Sequence, residues 1–172
     1  MVNVILEGCD CVGKSSIAEE LLLTGRFDLS IKYNNPKDKE DGERQYRNAV
    51  NIMNTRDRII FDRALLGECI YAPLKRGYYP EYMRDLEKRL STNTYLFVIT
   101  ASLENVKKRF DHKFLRENQL GIVLETYKKE FEECNYKRKY MIQTDTRSAF
   151  EASNLICDII DNTDKYKVGE LY

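Results

Sequence analysis

Apolar and polar positions along the chain fall into two alternating kinds of segment. "VNVILE" (2–7) is an unbroken apolar run closed by glycine, the pattern of a strand covered on both faces. "SSIAEELLL" follows with Ile17, Ala18, Leu21 and Leu22 at helical spacing and ends near Gly25. "LSIKYN" (29–34) reads as a second strand, halted by the turn-rich, charged "NNPKDKEDG". Tyr46, Val50 and Met53 mark a helix over 43–54, and "RIIFD" (58–62) is the third strand. Helical stretches are expected around 64–72 and along "EYMRDLEKRL", before "TYLFVIT" (94–100), the clearest strand. Ser102 opens the helix "LENVKKRF", a longer helix covers about 118–134, and "YMIQT" (140–144) is a weaker fifth strand. "SAFE" (148–151) has capping-box spacing ahead of "ASNLICDIID". Five strands alternating with helices predict an open parallel sheet with helices on both faces, whose ligands sit at the carboxyl ends of the strands.

Composition narrows the partners. The chain has 172 residues, suited to one domain, with 28 basic and 28 acidic side chains. This balance gives no global field toward nucleic acid or an anionic membrane. No apolar run approaches the roughly 20 residues that span a bilayer. The start of the chain lacks a basic leader, and the cysteines number five, an odd count, so reduced thiols in a cytoplasm are expected. A single histidine and the absence of any C-x-x-C pair disfavour metal and redox roles for Cys9 and Cys11.

The chemistry concentrates in "LEGCDCVGKS". Gly8 to Ser15 fits G-x-x-x-x-G-K-[ST], preceded by a buried strand and followed by an amphipathic helix. Glycines let the backbone turn so that successive N–H groups face one anion, and the helix presents its positive end. Gly8, Cys11, Val12, Gly13, Lys14, Ser15 and Ser16 would cradle the phosphates of ATP; Lys14 can reach the β- and γ-phosphates and Ser15 can hold Mg²⁺.

"LEGCDCVGKSS" resembles the thymidylate kinase pattern L/F-E-G-x-D-G-x-G-K-[ST]-[ST], and "FDRALLGECIY" resembles that family's D-R-Y-x-x-S-x-x-A-Y. Deoxynucleoside kinases share much of this plan. The resemblance implies an α/β fold, the three-layer α/β/α sandwich of P-loop NTPases with a five-stranded parallel sheet, in one domain over 1–172 with a mobile lid around 109–120. It implies that Asp10 bonds the acceptor sugar's 3′-hydroxyl, that Asp62 sits near Mg²⁺ and the phosphates, and that Arg63 clamps the acceptor phosphate. Tyr71 would crowd the sugar's 2′ position. Arg109 and Arg116, with Lys113 between them, stand where the family carries its arginine-bearing lid. The expected activity is transfer of the γ-phosphoryl group of ATP, with Mg²⁺, to a deoxynucleoside monophosphate, dTMP being the first guess.

Departures accompany the match. Cys11 replaces a usual glycine, Gly67 stands for serine and Ala64 for an aromatic residue. The loop after the second strand keeps only Pro36 of the family's R-E-P-G-G stretch. Tyr33, Tyr46, Arg47 and Arg76 are candidates for the acceptor pocket, and the base is left open. Two alternatives stand beside the monophosphate kinase. A deoxynucleoside kinase would need Glu7 or Asp62 as a base toward a 5′-hydroxyl. A P-loop switch or regulator is disfavoured, since no N-K-x-D motif is present. Partners are expected to be small nucleotides, with no membrane and no nucleic acid. A homodimer follows the family's habit, and the short, frayed motifs look phage-like, which would place the protein in a host cytoplasm.

Overall fold

The computed structural model describes residues 2–113 and 115–171, so Phe114, inside the expected lid, lies outside the described residues. Six parallel strands form one sheet in the order β2-β3-β1-β4-β5-β6: β1 (Asn3–Glu7), β2 (Leu29–Lys32), β3 (Ile59–Asp62), β4 (Thr94–Thr100), β5 (Lys139–Gln143) and β6 (Gly169–Leu171). The five expected strands all form. The sixth, three residues paired to β5, is too short to leave an apolar signature and extends that edge.

The helices are α1 (Lys14–Leu23), α2 (Lys39–Thr55), α3 (Leu65–Arg76), α4 (Tyr82–Glu87), α5 (Leu103–Arg109), α6 (Leu120–Glu133) and α7 (Ala149–Asp161). Helix α1 packs on α7, whereas α3 packs on α6 and α4, so two helical layers enclose the sheet. Burial on both sides explains the unbroken apolar runs: every residue of β1 is buried, as are the first six of β4. Edge strand β2 is mostly exposed.

Local signals set the helix ends. The Ser102 hydroxyl accepts the Asn105 N–H at the start of α5, and Ser148 and Glu151 form a reciprocal capping box at α7. Helix α3 runs through Pro73 and stops at Gly77 in the left-handed region, four residues beyond the end that the sequence pattern predicts.

One buried polar side chain ties the far end of the sheet. Asn3, fully enclosed, donates to Met53 O (2.9 Å) and Arg56 O (2.6 Å) at the end of α2. Its Oδ1 accepts the Ile59 N–H at 3.0 Å, where β3 begins. Asn3→Leu would strand three backbone groups in an apolar interior, and a loss of about 2–4 kcal/mol in unfolding free energy is expected. Chemical denaturation measures it; a loss below about 0.5 kcal/mol would mean that these bonds carry no net weight.

Candidate active site

The loop after β1 is shaped by three residues in the left-handed region of φ: Gly8 (139°), Cys11 (64°) and Gly13 (96°). A Cβ on Gly8 would lie 2.1 Å from the Ile99 carbonyl oxygen, so the loop backbone presses on β4 and only glycine fits. Cys11 sits at a positive φ that glycine would adopt without strain. The Thr144 hydroxyl, just past β5, donates to Val12 O at 3.1 Å and pins the loop from the other side.

Lys14 opens α1 with its ammonium buried, donating to Gly8 O (2.8 Å) and Cys9 O (2.6 Å). Burial holds its pKa below the usual lysine value, while Asp62, Cys9 and Glu7 pull it back up. Of the ammonium's three donors, two are used within the loop and one is left for an incoming anion. Asp62 ends β3 with Oδ2 at 3.4 Å from the Ser15 hydroxyl. Its Oδ1 is buried without a hydrogen-bond partner. A fixed carboxylate oxygen in need of a partner beside a serine hydroxyl is a donor set that suits Mg²⁺, which takes one or two protein oxygens and leaves the rest to phosphates and water.

Arg63 follows at φ 65° and forms an ion pair with Asp10. Its guanidinium carbon lies 5.8 Å from the centre of the Tyr71 ring. Asp10, Cys11, Gly13, Lys14, Ser15, Ser16, Asp62 and Arg63 line one cavity of about 350 Å³, together with Lys32, Asp111 and Lys113. Tyr71 stands behind Arg63 rather than on the cavity wall. Arg109 and Arg116 are exposed and outside it: Arg109 reaches Thr144 O at 3.5 Å, and Arg116 sits before a short 3-10 turn. Lys32 and Asp111 are cavity residues that sequence reasoning overlooked; a lysine closing a short edge strand, in particular, looks like any solvated residue.

Glu7 is fully enclosed at the end of β1. Its Oε1 accepts the N–H groups of Ala64 (2.9 Å) and Gly67 (3.1 Å), and its Oε2 faces the Tyr127 hydroxyl at 3.4 Å. A Cβ on residue 67 would meet Glu7 Oε2 at 3.0 Å, which accounts for glycine there. So placed, Glu7 is a brace and has no path to a substrate hydroxyl. The cysteines are equally quiet: all five are free thiols, and burial pushes Cys9 up to about 11. Among the described residues no cluster of three metal-binding side chains exists, and no helix is long and apolar enough to cross a membrane.

No family model matches the chain, and no curated protein matches it by sequence. Solved structures do. YorR from Bacillus subtilis, in complex with phosphorylated GDP, superposes with a TM-score of 0.81 at 20% identity, covering 96% of this chain and 99% of that one. The fold is the three-layer α/β/α sandwich of the P-loop NTPases. Thymidylate kinase from Candida albicans shares this fold at TM-score 0.63 and 14% identity, over 96% of this chain and 93% of its own. Deoxyadenosine kinase from M. mycoides with bound dATP matches at TM-score 0.60 and 16% identity, over 93% of this chain and 100% of its own.

Burial raises the pKa of Glu7 above its ordinary value of 4.5, so the folded state holds this proton more tightly than the unfolded chain does. Stability must therefore fall as pH rises from that ordinary value through the folded-state value. Glu7→Gln keeps an acceptor for both amides and removes the titration; denaturation between pH 4 and 8 should show a shallower decline than the parent. Glu7→Leu should lose about 2–4 kcal/mol by stranding the two amides. Parallel pH profiles for the parent and Glu7→Gln would contradict this account.

Proposed function

We propose that the protein transfers the γ-phosphoryl group of ATP to a deoxynucleoside monophosphate, with dTMP the first acceptor to test. The observation that carries this reading is the Asp10–Arg63 pair on the wall of the same cavity that Lys14 lines. A hydroxyl-seeking carboxylate and a phosphate-seeking guanidinium, side by side, match a sugar and its 5′-phosphate. Nucleoside kinases meet a neutral 5′-hydroxyl and need a base there. Glu7 is sealed away from the cavity, and Asp62 already faces Ser15 and Lys32, which favours a monophosphate that arrives anionic.

In this reading the loop 8–15 and the start of α1 bind the donor's phosphates, and Lys14 offers its open N–H to them. Ser15 and Asp62 hold Mg²⁺, which when bound neutralises the phosphate charge. Asp10 orients the acceptor sugar and Arg63 its phosphate, while Tyr71, expected at the 2′ side, instead supports Arg63 from behind. Phosphoryl transfer asks for positioning and charge neutralisation more than for covalent chemistry. The segment 109–120 supplies lid cations, Arg109, Lys113 and Arg116, that complete the neutralisation when it closes. The nucleotide ligands named for two neighbours of the same fold, phosphorylated GDP and dATP, support a nucleotide as the ligand class.

Purified protein incubated with Mg-ATP and a panel of deoxynucleosides and their monophosphates is expected to yield deoxynucleoside diphosphates. Turnover of nucleosides alone would select the nucleoside-kinase reading. Lys14→Met should cut turnover by about 100-fold or more, since it removes a charge from the transferring group. Arg63→Met should raise the acceptor KM and leave the KM for ATP within about threefold, the signature of lost binding on one substrate only.

A further inference from the structure

Lys32 is the last residue of β2 and lies beside Asp62 in the parallel register of β2 and β3. Its ammonium is 3.8 Å from Asp62 Oδ2, the same oxygen that faces the Ser15 hydroxyl at 3.4 Å. The two partners are held differently. The Asp62 side chain is 7% exposed and the Lys32 side chain 62% exposed. A half-solvated ion pair of this kind is weak, and a lysine stem has rotatable bonds enough to leave it.

The other cavity cations are held closer. Lys14 is bonded to two carbonyls of its own loop, Arg63 to Asp10, and Lys113 to Asp111 at 3.2 Å. Lys32 is the one among them that forms an ion pair with the carboxylate that would carry the metal. A divalent ion bound to Asp62 needs a carboxylate oxygen at about 2.0–2.1 Å, and an ammonium paired with the other oxygen of the same carboxylate repels the ion. The ammonium must therefore withdraw when the ion arrives. The anions then within its reach are the phosphates in the same cavity.

Resting on the phosphotransfer reading above, we propose that Lys32 is a parked cation. It offsets the charge of Asp62 from beside the metal's position in the nucleotide-free protein and moves onto the nucleotide phosphates once the divalent ion repels it. No bond is made or broken in this exchange. One anion swaps an ammonium for a metal, and the ammonium swaps a carboxylate for a phosphate. The site thus stays close to neutral before and after loading, and its carboxylate is never left bare.

Two binding measurements test this without any acceptor turnover. Lys32→Met keeps most of the stem and removes the charge; Lys32→Arg keeps the charge. Mn²⁺ titrated into nucleotide-free protein and followed by its EPR signal should bind about fivefold tighter to Lys32→Met than to the parent, because a competing cation is gone. Asp62→Asn should abolish that gain. The Mn²⁺ complex of a non-hydrolysable ATP analogue should bind Lys32→Met at least about fivefold more weakly, with Lys32→Arg restoring most of the loss. An unchanged Mn²⁺ affinity overturns the parked position, and an unchanged analogue affinity overturns the move onto phosphate. Both readouts are independent of which acceptor is used, so a failure of the monophosphate assignment would appear in the substrate panel and not here. Lys32 is exposed, so the variants' thermal midpoints should match the parent's.

Discussion

A carboxylate sealed inside the protein holds the two working loops in register. Glu7 closes the central strand, immediately before the phosphate-binding loop, and its Oε1 takes two amide protons from the first turn of α3. Residue 63 lies between these anchor points and the end of β3, and its left-handed backbone turns the guanidinium back toward Asp10. The loop that would hold the donor and the arginine that would hold the acceptor are therefore fixed to one side chain. Desolvation makes the ionised form of that side chain costly, which is why both oxygens are partnered and why residue 67 has no side chain to push them aside.

The same economy of charge governs the cavity. The whole chain is neutral, so no long-range field draws a nucleotide in. Cations instead gather locally, each matched to a carboxylate or a carbonyl: Arg63 with Asp10, Lys113 with Asp111, Lys32 with Asp62, and Lys14 with its own loop. Such pairing keeps an empty, partly dry site from accumulating like charge. A polyphosphate would then enter by exchanging partners rather than by meeting bare cations. The strength of each existing pair then orders the exchange, with the exposed Lys32 pair weaker than the half-buried Arg63 pair.

What could be read from sequence follows from how far each signal reaches along the chain. Strands β1 and β4 are legible because burial on both faces leaves no polar alternation to misread, and the Ser148–Glu151 box announces α7 within four residues. The loop from Gly8 to Ser15 is legible because its glycines and lysine are adjacent in sequence. Contacts made across the sheet leave no such trace. Asn3 joins residues fifty or more positions away, and Lys32 gains meaning only from its register with Asp62. Strand β6 is too short for periodicity to register. The spacing of Arg109 and Arg116 identifies a charged segment, but where those side chains rest depends on α5 and the loop after β5, which the spacing does not encode.

The departures from the thymidylate kinase pattern then acquire a physical order. Cys11 keeps the left-handed turn that glycine would supply, at a cost of order 1 kcal/mol for a side chain in that region, while Gly8 and Gly13 meet the stricter demands on either side. Gly67 replaces serine where the Glu7 carboxylate and the Tyr127 hydroxyl already fill the space a side chain would take. Neither touches Lys14, Ser15, Asp62 or Arg63. The charged residues that line the cavity, Lys14, Asp62 and Arg63, are therefore held in place although the loop around them departs from the resembled pattern.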